Sequence, residues 1–200
     1  MVGTGPSLYG FDFGRLRGPW RVLAVKQAYH DLPFAEACFG LDLPWMRHHA
    51  DELAELAARM PLYLTVPDQE IDIRPVAGAV FLKRTGRCDR FSDDLGTIEA
   101  GGNSGFGALN FAYLKRAKKI VLFGYDYGGS HYCEDRYVTR PKDQNARYLP
   151  SWATNYRRVI EQLTDCGTTV INASPRSAVD AFTKCTIDEG LEHLRGCGPT

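Results

Sequence analysis

The sequence has no surplus of charge of either sign: 24 Lys and Arg stand against 24 Asp and Glu in 200 residues. Tight non-specific binding to nucleic acid needs a surplus of cations to neutralise phosphates, so strong nucleic-acid binding is not expected. No apolar run approaches the ~20 residues needed to cross a bilayer. The chain opens on a glycine motif rather than on a basic stretch followed by an apolar one, so a cytoplasmic protein without a leader is expected. Six cysteines are scattered through the chain, and none has CxxC spacing. That argues against a zinc ribbon or a thioredoxin-type site and suits reduced cysteines, several of them in the core. No Asp-x-Asp motif occurs, so no obligatory metal is expected. Repeats and low-complexity tracts are also missing.

What is present is an alternation of apolar runs with helical or loop segments. The runs at 21–25, 37–41, 61–66, 79–82, 119–124 and 168–172 are continuous rather than alternating, which suits parallel strands covered on both faces. Helices are predicted over 51–59, 104–116, 151–165 and 187–194. Lys115 and Arg116 are placed in the last turn of the second, Ser151 as the cap of the third, and Thr186 with Glu189 as a capping box on the fourth. This order predicts an α/β domain over 1–196, doubly wound around a mostly parallel sheet with helices on both faces, and a frayed tail at 197–200. The stretches 86–102 and 128–149 carry no regular signal and are expected to be long loops.

Three constellations could carry chemistry. Gly3-Thr4-Gly5-Pro6-Ser7-Leu8 offers glycines for unusual backbone angles and close ligand approach, hydroxyls on Thr4 and Ser7, and amides near a helix start that suit an anion. It is neither a Walker loop nor a complete dinucleotide fingerprint. Gly101-Gly102-Asn103-Ser104-Gly105 is a second glycine-rich lead-in to a helix, where Ser104 could equally be a plain N-cap. Phe123 to Tyr132 follows the clearest strand and brings Asp126, Tyr127 and His131 to the carboxyl edge, where open α/β sheets bind ligands. His131 can take a proton from an acceptor hydroxyl near neutral pH. Asp126 could orient a base, bind a sugar hydroxyl or anchor the loop. His48 and His49 are expected at the surface or an edge, and His30 and His193 have no informative spacing. The acidic run Asp68 to Asp72 is expected to be a solvated loop.

The glycine-x-glycine-proline-serine-leucine start and the strand ending in Lys26-Gln27-Ala28-Tyr29 resemble bacterial sialyltransferases of glycosyltransferase family 42. So do Asn103-Ser104-Gly105, Ile120 to Tyr127 and Ser130-His131-Tyr132. The chain is at least as similar to the DUF115, or hydroxymethylpterin pyrophosphokinase MptE-like, group, which includes motility accessory factors and phage proteins. Val170 to Ala178, running into Phe182 and Ile187 to Leu191, resembles the end of the phage versions.

The resemblance implies a Rossmann-like fold with a nucleotide or nucleotide-sugar between the glycine loops. Thr4, Asn103 and Ser104 would touch the donor, and His131 would be the general base of a metal-independent transfer. Gly3, Gly5, Ser7, Lys26, Gln27, Asp42, Gly105 and Tyr127 complete the nucleotide set, and Asp126 joins His131 in the catalytic pair. Lys26 and Thr4 stand where the sialyltransferases have asparagines, and a lysine there suits a diphosphate. Tyr132, Tyr137 and Tyr148 are candidates for phosphate-binding tyrosines.

Two alternatives follow. One is pyrophosphoryl transfer with Mg²⁺ on Asp42 and Asp126. The other is a nucleotide-binding or phage accessory protein without catalysis. The acceptor and the oligomeric state, including a homo-oligomer, are left open by the sequence.

Overall fold

A computed structural model describes residues 1–67, 75–128, 130–133 and 147–196. The acidic run from Asp68, Tyr137 and the tail at 197–200 lie outside the described residues. The fold is α/β, with all pairings between the strands parallel. One sheet has five strands in chain order: β1 (Leu23–Val25), β2 (Ala37–Gly40), β3 (Leu62–Pro67), β4 (Val80–Thr85) and β5 (Thr97–Glu99). A second has β6 (Lys119–Leu122), β7 (Thr169–Asn172) and β8 (Thr183–Lys184).

The first residues of the chain join the two sheets. Val2 forms parallel bridges to Ala24 of β1 on one side and to Phe123, just past β6, on the other. Val2 N donates to Leu23 O at 2.9 Å and Gly3 N to Phe123 O at 2.8 Å. The chain therefore winds outward from its own start to β5, then returns to β6 on the opposite side of that start. The reversal of direction falls between β1 and β6, which is the place where doubly wound sheets open a ligand crevice.

Residues along each strand alternate between two cores, as the period of 2 demands. Ala24, Cys38, Leu62, Leu64 and Val121 belong to one cluster with Leu53, Leu56 and Leu191. Val25, Phe39, Ile120 and Leu122 belong to the other, with Phe106, Leu109 and Leu163. The first cluster is closed by α1 (Leu43–His48), α2 (Ala50–Ala57) and α6 (Ile187–Arg195). The second is closed by α3 (Ser104–Leu114), α4 (Leu149–Asn155) and α5 (Ile160–Asp165). Helices thus cover both faces. Ten of the eleven residues of α3 are buried, as expected for a helix that is apolar all round.

The elements differ from the sequence expectation in several places, among them the unpredicted helix α1. β5, β8 and the strand-like start at Val2 are too short to stand out as apolar runs. The stretch 86–102 is ordered by helix side chains: Asn110 Oδ1 accepts Ser92 N at 3.2 Å and Glu99 N at 2.8 Å, and Gln162 Oε1 accepts Phe91 N at 2.7 Å. The segment predicted as one helix over 151–165 begins at Leu149, with Ser151 donating back to Tyr148 O rather than capping. It tightens into a 3-10 turn at Tyr156–Val159, which carries Tyr156 and Val159 into the core before α5 starts. Lys115 and Arg116 stand just beyond α3, and Arg116 takes the left-handed conformation (φ 61) that ends many helices. The capping box of Thr186 and Glu189 forms as predicted. No helix among the described residues is long and apolar enough to cross a membrane.

Candidate functional site

The exit of β6 touches both glycine loops. On one side it meets the N-terminal loop. Gly5 N donates to Gly124 O at 2.8 Å, and Ser7 Oγ donates to the Asp126 carboxylate at 2.7 Å. A Cβ on Gly3 would lie 2.8 Å from Gly124 O, and one on Gly5 would lie 2.6 Å from the same atom and overlap the Asp126 carboxylate. Neither glycine has a positive φ. Their need is therefore for space against the β6 exit, not for unusual angles. The amides of Gly3 and Gly5 are spent on Phe123 O and Gly124 O, so the loop turns its Thr4 side chain, rather than those amides, to other groups.

On the other side the β6 exit meets the start of α3. Tyr127 OH donates to Asn103 Oδ1 at 2.5 Å and pairs with Tyr156 OH at 2.6 Å. Asn103, not Ser104, is the N-cap, accepting Phe106 N at 2.8 Å. Ser104 stands one residue inside the helix, and its Oγ is buried with no hydrogen-bond partner. Gly105 leaves room for the tyrosines, since a Cβ there would lie 2.6 Å from Tyr127 OH. Burial, with neighbouring tyrosine hydroxyls, holds the Tyr125 and Tyr156 phenols well above the usual range.

His131 returns to the N-terminal loop. Its Nδ1 lies 2.8 Å from Thr4 Oγ1, and Tyr132 N donates to Thr4 O at 3.0 Å. Thr4 and His131 are 127 positions apart in sequence and meet only because the start of the chain at Val2 lies beside the end of β6.

Of the remaining predicted residues, Lys26 and Asp42 pair with each other, and Gln27 meets His49. Lys26 Nζ is 2.6 Å from Asp42 Oδ2, with the Trp45 ring 5.5 Å from the ammonium. Lys26 is buried and has φ 52, and Tyr127 has φ 55. These two non-glycine residues in a costly region follow β1 and β6, which flank Val2, and strain of this kind is commonly held for function. Gln27 Nε2 contacts His49 Nε2 at 3.1 Å, and His49 Nδ1 contacts Glu52 at 3.1 Å. His30 also reaches Glu52, at 3.2 Å. The expected edge role of His49 is thus corrected: it faces inward, with its side chain 13% exposed. The sequence does not show Tyr156, His49, Glu52 or Ser174, whose Oγ accepts Ser7 Oγ at 3.3 Å, as neighbours of the site. Only the i,i+3 spacing of His49 and Glu52 gave any signal for them. Among the described residues, no group of three or more His, Cys, Asp or Glu is placed to hold a metal.

Asp126 anchors the loop and has a testable electrostatic cost. Burial raises its pKa, opposed in part by the Ser7 bonds and by Arg176. A carboxyl raised in the folded state costs nothing below its unfolded pKa of about 3.9. Stability is then lost as pH rises from there through the folded value. Asp126→Asn keeps an oxygen for Ser7 and removes the charge. Urea titrations at pH 3 to 7 should show wild type losing ground to the variant as pH rises. A difference that stays flat, or reverses, would refute the buried charge.

In comparisons with protein-family models, curated proteins and solved structures, the chain matches none.

Proposed function

We propose that this chain is a glycosyltransferase-like transferase that binds a nucleotide or nucleotide-sugar at the carboxyl edge of the sheet and passes its group to an acceptor hydroxyl. The observation that carries this reading is the 2.8 Å contact between Thr4 Oγ1 and His131 Nδ1 at the point where the sheet reverses direction. With its proton on Nδ1 and donated to Thr4, the imidazole carries its lone pair on Nε2, the arrangement a general base requires.

In the proposed step Nε2 takes the acceptor's hydroxyl proton and the acceptor oxygen bonds to the anomeric carbon. The bond from that carbon to the donor phosphate oxygen breaks, and the nucleotide leaves with the electron pair. The amino end of α3 beside Asn103 and Ser104 favours the departing negative charge. Lys26 would meet a donor phosphate only in competition with Asp42. Asp126 serves this reading as the anchor of the loop that carries Thr4.

A thermal-shift panel of CMP, UDP, GDP, ADP and their sugars, with and without Mg²⁺, tests the binding. A ligand at a hundred times its Kd adds about 2.7 kcal/mol, which in a domain of this size is a rise of roughly 5–10 °C. No shift with any nucleotide would sink the reading. Binding that requires Mg²⁺ and is lost in Asp126→Asn would favour pyrophosphoryl transfer instead.

A further inference from the structure

We infer that Tyr132 and Asp31 are positioning residues that strap His131 against Thr4. This rests on the transferase reading above. Tyr132 is the next residue after His131 and is fixed at three points. Its backbone N donates to Thr4 O at 3.0 Å. Its ring lies 5.2 Å from the ring of Phe13. Its hydroxyl donates to Asp31 Oδ2 at 2.9 Å. Asp31 is the last residue of the 3-10 turn Lys26–Asp31, which also presents Lys26 and Gln27. The strap therefore ties the segment bearing the base to the turn at the end of β1.

The geometry gives His131, half-buried in its loop, more than one hold. A hydrogen bond between two side chains is worth only about 0.5–1.5 kcal/mol net, so the Thr4 contact alone is a weak hold on an imidazole. Fixing the following residue at its backbone, ring and hydroxyl removes most of the freedom that His131 would otherwise have. Orientation of a base to within a fraction of an ångström is what makes proton transfer efficient.

The test reads the tautomer of His131 by ¹⁵N NMR, with its signals assigned by their loss in His131→Gln. Wild type should hold the proton on Nδ1. Tyr132→Phe keeps the ring on Phe13 and deletes only the hydroxyl. It should lose this preference, and so should Asp31→Ala. Asp31→Asn keeps an acceptor for the hydroxyl and should restore it. Thr4→Val removes the partner itself and sets the fully released spectrum.

Wild-type tautomers in both Tyr132→Phe and Asp31→Ala would overturn the strap, as would a Thr4→Val spectrum identical to wild type. No nucleotide is needed for this measurement. A blank thermal-shift panel alongside altered tautomers would therefore remove the transferase reading alone. With a donor in hand, Tyr132→Phe should lower kcat and leave the donor KM unchanged.

Discussion

His131→Ala should lower group transfer by about 10²–10⁴-fold while leaving nucleotide affinity nearly unchanged, because that is the span a positioned general base contributes. In barrier terms this is about 3–5 kcal/mol. The split between rate and affinity follows from where the histidine stands. Its ring is held by Thr4 Oγ1, and the neighbouring Tyr132 is bonded to Asp31, so it stands on the side of the N-terminal loop. The start of α3, which is proposed to meet the donor phosphate, is organised by Asn103, Tyr127 and Tyr156. Removing an imidazole leaves that second group intact. Thr4→Val should fall between wild type and His131→Ala, since it frees the base without deleting it. Isothermal titration with the best nucleotide, beside initial rates, separates the two quantities. Unchanged turnover in His131→Ala would remove the base assignment, and an equal loss of affinity would make His131 a binding residue.

The fold was legible where burial writes a pattern. Continuous apolar runs marked the central strands because both faces of the sheet are covered, and alternate residues such as Ala24 and Val25 go to different cores. The capping box at Thr186 was legible because its two bonds are local. β5 was not, because its backbone is held by Asn110, a side chain eleven positions from Glu99. Three-residue strands stabilised by distant side chains leave no period to read.

The candidate site was legible as residue types and much less as partners. The two glycine loops and the β6 exit do come together, and Thr4, Asp126 and His131 stand where the N-terminal loop meets that exit. The pairing between them was not visible. Of the three roles the sequence leaves open for Asp126, its bond to Ser7 fits the anchor of the loop, while His131 meets Thr4. Sequence spacing cannot foresee these contacts, since Thr4 lies 127 positions from His131 and Ser7 lies 119 from Asp126. Lys26 and Asp42 each read as a ligand group, yet they face one another. Opposite charges at the ends of adjacent parallel strands, β1 and β2, are close neighbours whatever else they meet.

The glycine at position 5 gives the second large effect, and its cause is steric rather than conformational. Gly5→Ala should lower stability by about 1–3 kcal/mol, the usual cost of forcing extra atoms into a packed site. For a domain of this size that is a drop of roughly 2–12 °C in Tm. The added methyl would meet Gly124 O at 2.6 Å, and that backbone carbonyl already accepts Gly5 N. It would also run into the Asp126 carboxylate, which is pinned by Ser7. Neither neighbour is the loose end of a flexible side chain, so the β6 exit itself must move. Asp126 and Tyr127 move with it, and Tyr127 carries the bond to Asn103. Stability and nucleotide binding should therefore fall together, although residue 5 itself need touch no ligand. Gly86→Ala is the control: a Cβ there meets nothing within 4 Å and φ is not positive. It should stay within about 0.5 kcal/mol of wild type, as ordinary surface changes do. If Gly5→Ala melts with wild type and Gly86→Ala, the close approach of the first loop to β6 is wrong, and the meeting of Thr4 with His131 loses its foundation.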